Sequence, residues 1–456
     1  MRIFRSKAIR RVLSVVLLIC MLILVDTIMG ELLSPVTLAN WFTHDVKEIE
    51  ASGQDADLVF IGASRTLYTF VPQVFREKLN LTWVLNAASS SQPVCASYYQ
   101  IKELVERICP KHVIIGVTSD GLRHLGNLQS RLIVYDRLKP INRLRMALDC
   151  IEPGEWPYLV ASYRFKDNFS LVKMQEIAEE KAELIRTNFR DSEESPRHDY
   201  GYYFRYDSIA TGNMPIKNSS GFSEEKLSQR NLDYLDACIE LCKKHGIKVT
   251  LVSGLTSVSR MYKINNYQGA VDYYNRFAEQ RGIKYYNLNF LRNREMLLPD
   301  EMMHDYNHAN AEGAKIVSSL FAEILEKEAN GEDVTSCFYE NLDDFKEDVH
   351  RIVSVRAQIQ ADASNRNLYH ISITSLQNED VKAVYRVLLC RQGEDSFQVV
   401  QDWAPEKQMD LILEDEAGAK LRIEAGSTDE TIGRAYQEYD LEADVQEGEE
   451  LKDEES

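Results

Sequence analysis

Positive charge is scarce in this chain. Its 456 residues carry 53 Lys and Arg against 71 Asp and Glu, a formal net charge of −18. Phosphate backbones are bound by clustered cations, so nucleic acid is excluded as a partner. No Gly-rich dinucleotide fingerprint follows a strand, and no phosphate loop ends in Gly-Lys-Ser/Thr. No cofactor is therefore expected. Internal repeats are missing too, which excludes repeat architectures. Eight cysteines give no legible disulfide framework. Cys20 lies in an apolar run, Cys238 and Cys242 are four apart on an expected helix, and the rest are scattered. One or two disulfides stay open, with no pair assigned.

What charge there is sits unevenly. Glu438 to Ser456 holds ten acids against one lysine, about half of the net charge. Such a run repels itself and buries no apolar area, so residues 436–456 read as a disordered acidic tail. The N-terminus is the reverse: "MRIFRSKAIRR" has five basic residues and no acid. Val12 to Val25, "VLSVVLLICMLILV", is apolar apart from Ser14. With Asp26 to Gly30 it reaches about 19 residues, enough for a thin span at about 1.5 Å per residue. Basic flanks stay in the cytoplasm. Residues 1–30 are therefore expected to be a single-pass cell-membrane anchor, with the body outside. A cleavable signal peptide is the rival; it wants small residues near a cleavage point, and "VDTIMGELLSP" offers only Gly30. A lipoprotein signal does not fit, because Cys20 lies inside the apolar run.

Residues 31–54 read as a stalk with a short helix. From residue 55 the pattern is α/β. Strand-like runs are "DLVFIG" (57–62), "WVLNAA" (83–88), "HVIIGV" (112–117), "KVTLVSG" (248–254) and "KYYNLN" (284–289). Helix-period segments lie between and after them, at 96–108, 228–246, 269–282 and 310–329. Apolar strands alternating with amphipathic helices indicate a parallel sheet covered on both faces. Residues 121–227 interrupt the rhythm. They are an insertion that walls or lids a site, or extra helices packed on the sheet edge. Residues 331–344 read as a linker. From 345 to 435 the period becomes two, which suggests a small all-β domain, a sandwich.

Two stretches carry chemistry. In "DLVFIGASRTLYTF", residues 57–70, an apolar strand runs into Gly62-Ala63-Ser64. Ser64 follows the C-terminal end of the strand, the edge where ligand sites of open α/β sheets form. A serine hydroxyl needs a nearby base to act as a nucleophile. In "HDYNHANAEGAKIV", residues 304–317, Asp305 and His308 precede a helix expected from about Asn310. A turn there points both side chains toward the same edge. His308 would take the Ser64 proton, and Asp305 would hold the imidazole in the right tautomer.

The order Ser, Asp, His in these settings resembles the SGNH (GDSL-like) hydrolase superfamily. It is most similar to membrane-anchored extracytoplasmic relatives: the D-alanyl-transfer protein of teichoic acid modification and the alginate O-acetylation proteins. The resemblance covers roughly residues 55–330, with the insertion unmatched. The family's first block, Gly-Asp-Ser, is Gly62-Ala63-Ser64 here; its last, Asp-x-x-His, is Asp305-Tyr306-Asn307-His308. The second block opens with Asn86 and has Ser91 at the usual glycine. The third has Ser119 at the usual asparagine.

The resemblance implies a three-layer α/β/α domain and an acyl-serine route. Ser64 would attack an ester carbonyl with His308 as base. The N–H groups of Ser64 and Ser91, with the Ser119 hydroxyl, would hold the oxyanion. The acyl group would pass to water or to a sugar or polyol hydroxyl, so esterase and acyltransferase are both open. An external, tethered body suits a cell-envelope polysaccharide or teichoic-acid-like polymer, with a membrane acyltransferase as a further partner. Candidate substrate contacts are Arg65, Asn86 and Arg205, the last in "GYYFR" (201–205). Arg65 alternatively pairs with a carboxylate, and "GYYFR" alternatively packs.

Other readings remain. His304, Asp305 and His308 are candidate metal ligands, but the Glu of His-Glu-x-x-His is missing and no third partner is evident, so no metal is expected. His308 alternatively bonds backbone at a helix start. The substitutions at Ser91 and Ser119 favour a different class: a catalytically silent SGNH-fold scaffold or polymer-binding subunit of an envelope acyl-transfer system.

Overall fold

The computed structural model describes residues 7–119, 121–123, 126–189, 198–207, 221–292, 302–349, 352–365, 367–413, 418–428 and 435–441. Lys7–Leu33 forms one helix, α1. Its stretch from Ile9 to Leu33 is long and apolar enough to cross a membrane, and none of its most apolar window is buried against protein. Helix α2, Leu38–Ser52, starts at a capping box of Thr37 and Asn40 and stops at Gly53.

The expected stalk is not a stalk. Phe42, Val46 and Ile49 recur at i, i+4 and i+7, so α2 has an apolar face, and all three are buried in the core.

The α/β part runs β1 (Leu58–Ile61), α3 (Ser64–Thr69), α4 (Pro72–Leu79), β2 (Val84–Asn86), α5 (Val94–Ile108) and β3 (His112–Gly116). The insertion follows with α6 (Leu128–Arg137), α7 (Pro140–Cys150), α8 (Ala161–Arg164), α9 (Leu171–Arg186), β4 (His198–Asp199) and β5 (Tyr202–Tyr203). Then come α10 (Gln229–Lys244), β6 (Lys248–Ser253), α11 (Val258–Lys263), α12 (Tyr267–Gln280), β7 (Lys284–Asn287), β8 (Met303–Asp305), β9 (His308–Ala309) and α13 (Ala311–Ala329).

Five strands form a parallel sheet in the order β2-β1-β3-β6-β7. The five expected strands are these five. Alternation along β1 divides the core. Val59 and Ile61 pack with α2, α5, α10 and α12 on one face. Leu58 and Phe60 pack with Phe75 of α4 and Val317 and Phe321 of α13 on the other. Both faces are buried, which is why the strands are apolar throughout.

The described part of the insertion packs in several places: α6 and α7 against α5, α8 and α9 against α1, and β5 against α3. The Tyr200 carbonyl accepts from the Asn86 N–H beside β2 at 2.8 Å. Arg137 of α6 is fully buried, its guanidinium 4.4 Å from the Phe42 ring centre. It donates to the carbonyls of Ala87 (3.0 Å) and Ala88 (3.4 Å), at the start of the loop that carries Ser91.

The C-terminal part has β10 (Ile352–Ala361), β11 (Leu368–Gln377), β12 (Ala383–Cys390), β13 (Gln398–Ala404), β14 (Gln408–Ile412), β15 (Lys420–Ser427) and β16 (Ala435–Asp440). They make two antiparallel sheets, β10-β11-β14 and β13-β12-β15-β16, around one apolar cluster.

Two expected boundaries move. The β domain continues past 435, because β16 pairs with β15, Tyr439 turns inward, and Glu438 accepts from Arg422 Nε at 2.9 Å. Residues 442–456 of the expected tail lie outside the described residues. The expected linker is packed: Tyr339 is buried and its N–H donates to Phe290 O at 2.7 Å. All eight cysteines are free thiols.

Candidate active site

Two glycines set Ser64 in place. Gly62 follows β1 and Gly116 ends β3, side by side at the C-terminal edge of the sheet. A Cβ on Gly116 would fall 1.7 Å from Thr66 Oγ1, and one on Gly62 would fall 2.4 Å from it. The bare backbone lets α3 settle directly on the strand tips, with Ser64 as its first residue. Gly116→Ala is therefore expected to cost about 1–3 kcal/mol by overpacking. It should also lower turnover by displacing α3; the unfolding midpoint and ester hydrolysis check both.

Asn86 is not a substrate contact. It is fully buried, and its amide nitrogen donates to the carbonyls of Thr66 (3.2 Å), Leu67 (3.2 Å) and Phe70 (2.8 Å). Those carbonyls belong to α3 and its C-terminal cap, so Asn86 ties β2 to the helix that bears Ser64. Its shape and donor count serve the scaffold.

The second motif folds as a tight β8–β9 hairpin. The Asn307 N–H donates to Asp305 Oδ1 at 2.7 Å, and Tyr306 O at the tip accepts from Thr256 Oγ1 at 2.8 Å. Asn310 then caps α13, accepting from Gly313 N at 3.0 Å. The hairpin brings His308 Nε2 to 2.8 Å from Ser64 Oγ and its Nδ1 to 2.6 Å from Asp305 Oδ2. Burial pushes the Asp305 carboxyl up. Hydrogen bonds from His308 and Asn307, with the His308 charge, outweigh this and hold it below its ordinary range. Ser64, His308 and Asp305 thus form one continuous chain of hydrogen bonds, 244 residues apart in sequence at its first link.

The other expected residues fall out differently. Arg65 donates to Asn307 Oδ1 at 2.8 Å, linking α3 to the hairpin tip. Arg205 lies 4.8 Å from the Tyr68 ring centre, donates to Tyr68 Oη at 3.2 Å and contacts His304 Nε2. "GYYFR" mostly packs, with Tyr202 and Phe204 buried. Ser119 sits just beyond β3 and, with Arg65 and Asn289, lines a cavity of about 10 Å³, room for a single water.

Ser91 is exposed at the end of a turn closed by Gln92 N to Ser89 O (3.3 Å). Its φ is 51°, the left-handed region where glycine is usual, at a cost of roughly 1–2 kcal/mol for a serine. Ser91→Gly removes that strain and keeps the N–H. It is expected to leave kcat/KM within about twofold.

His304, Asp305 and His308 do not converge as metal ligands. Both His308 nitrogens are taken by Ser64 and Asp305, and His304 turns to Arg205 and to Asp207, 2.9 Å away. Sequence reasoning missed Tyr68, whose ring meets the His308 ring edge-on at 5.2 Å. Its spacing was the available signal: four residues beyond Ser64 on a helix is the same face. It also missed Asn307, which lies inside the motif itself.

No protein-family model matches the chain, and no curated protein matches it. The structural neighbours are GDSL-type lipolytic proteins and esterases. A lipolytic protein of the G-D-S-L family from Desulfitobacterium hafniense is 12% identical, with a TM-score of 0.31 over 59% of this chain and 99% of that one. A GDSL-like lipase from Bacteroides thetaiotaomicron is 13% identical, with a TM-score of 0.32 over 64% and 100%. A two-domain esterase active on acetylated mannans is 9% identical, with a TM-score of 0.30 over 86% and 90%. Overlaps this slight say nothing about what Ser64 does.

Proposed function

We propose that the chain is a serine esterase or O-acyltransferase of the SGNH type. In this reading α1 tethers it to a membrane, and the body acts outside on an acylated cell-envelope glycopolymer. The observation that carries the chemistry is the relay from Ser64 Oγ through His308 to Asp305, at 2.8 and 2.6 Å.

Ser64 Oγ attacks the ester carbonyl carbon as its proton passes to His308 Nε2. The imidazolium keeps its Nδ1–H on Asp305, whose lowered pKa keeps it ionised and favours the ion pair. The N–H groups of Ser64 and Ser91, with the Ser119 hydroxyl, are the proposed donors to the oxyanion. Collapse breaks the ester C–O bond, and His308 returns the proton to the departing alcohol. Water or an acceptor hydroxyl then repeats the sequence on the acyl-serine, giving up its proton to His308. Free acid leaves in the first case, a new ester in the second.

The tether and the envelope substrate rest on the basic flank before α1 and its exposed apolar length. A fluorophosphonate probe on the full-length chain tests the chemistry. One equivalent on Ser64, absent from Ser64→Ala, is the expected result. No label on folded protein would favour the silent scaffold instead. With unlabelled protein and an ester substrate, an alcohol acceptor that speeds turnover of the acyl-serine and appears in a new ester would assign transfer over hydrolysis.

A further inference from the structure

We propose that residues 153–172 of the insertion lie in the headgroup layer of a phospholipid bilayer, where α1 leaves it. They would hold the body in one orientation on the membrane. The proposal rests on the reading of α1 as an anchor.

The insertion grips α1 at one level. Asp26 of α1 accepts from Ala161 N (3.0 Å), Ser162 N (2.8 Å) and Ser162 Oγ (2.8 Å) at the start of α8. A Cβ on Gly30, one turn further, would come 2.9 Å from Ala161 Cβ, so the two backbones approach closely. Asn168 Nδ2 donates to Leu33 O at 2.9 Å, and Lys181 Nζ to Glu31 O at 2.5 Å. Asp26 is the first residue after the apolar run. That run of 14 residues spans roughly 21 Å, short of a hydrocarbon core of about 30 Å. Asp26 is thus drawn to the outer boundary or just inside it. A carboxylate is costly there unless donors accompany it, and α8 brings three.

The segment that reaches this level is apolar on its outside. Trp156, Tyr158 and Tyr163 are each 43% exposed, Phe169 69%, Val172 67% and Leu171 86%. Water is a poor surrounding for such a set. Trp and Tyr, with an apolar body and a polar edge, favour the membrane–water interface. Lys166 and Lys173 stand exposed among them, as in interfacial segments that meet lipid phosphates, while Arg164 is held by Asp136 at 2.9 Å. Depth comes from α1, and composition matches that depth.

The test uses the full-length chain in phosphatidylcholine vesicles whose acyl chains are brominated near the headgroup. The chain has four tryptophans, so an interfacial Trp156 should give up roughly one quarter of total emission. Trp156→Phe should lose that quenchable part. Leu171→Asp with Val172→Asp should cut the quenching at least about twofold and leave ester hydrolysis unchanged. Equal fractional quenching of wild type and Trp156→Phe, in chain that resists alkaline extraction, overturns the seating but keeps the anchor. Release of the chain by alkali overturns the anchor and the seating with it. A crosslinked dimer with Trp156 shielded from bromolipid gives the face to a second copy and also overturns the proposal.

Discussion

Ser64→Ala is expected to abolish fluorophosphonate labelling and to lower kcat for a simple ester by about 10³- to 10⁶-fold. The hydroxyl is the bond-forming atom, and no second hydroxyl is hydrogen-bonded to His308 among the described residues. His308→Ala should cost a similar factor, because an unassisted serine is a poor nucleophile near neutral pH. The double variant should be scarcely worse than either single one, since two members of one relay do not add. Kinetics on all three proteins check this, with circular dichroism to show folding. Ser64 is only partly buried, so its truncation should leave the unfolding midpoint nearly unchanged. Turnover that survived in Ser64→Ala would remove the acyl-serine route.

The parts of this site that could be read from the chain share one property: each is local. β1 shows itself as four apolar residues because both of its faces are buried, and Gly62 to Ser64 follow at once. Asp305 and His308 sit in a four-residue window, where a hairpin can align them without distant help. The helices were legible from their periodic apolar faces and glycine stops.

What was hidden depends on partners far along the chain. An asparagine at a strand end looks available to a ligand; only the arrival of α3 shows its amide spent on three carbonyls. A lone Arg137 looks like surface until α2 supplies Phe42 and the Ser91 loop supplies two carbonyls. Residues 31–54 looked like a stalk because one 15-residue helix does not announce what it covers. The strand Ala435–Asp440 was masked by acidic neighbours, although Arg422 on β15 neutralises Glu438 within it.

Asp305→Asn is the sharper test of how the relay works, because it changes charge and donors but not shape. The Asn307 N–H already claims Oδ1 at 2.7 Å. A carboxamide must keep its oxygen on that N–H, so its NH2 faces His308 Nδ1. Nδ1 then has to accept, the ring proton moves to Nε2, and Nε2 can no longer take the Ser64 proton. The expected loss is about 10³- to 10⁴-fold in kcat, with substrate affinity little changed. Stability should respond with a definite sign. Asp305 is held below its ordinary value by His308 and Asn307 against the opposing push of burial. Its ionised form therefore stabilises the fold fully above about pH 4, the ordinary aspartate range, and that contribution disappears as pH falls through the lowered value. The gap in unfolding midpoint between wild type and Asp305→Asn should close on acidification below about pH 4. A gap that instead widened in acid would mean that Asp305 is ionised more readily in the unfolded chain than beside His308. The hydrogen-bonded pair would then be the wrong account of the site.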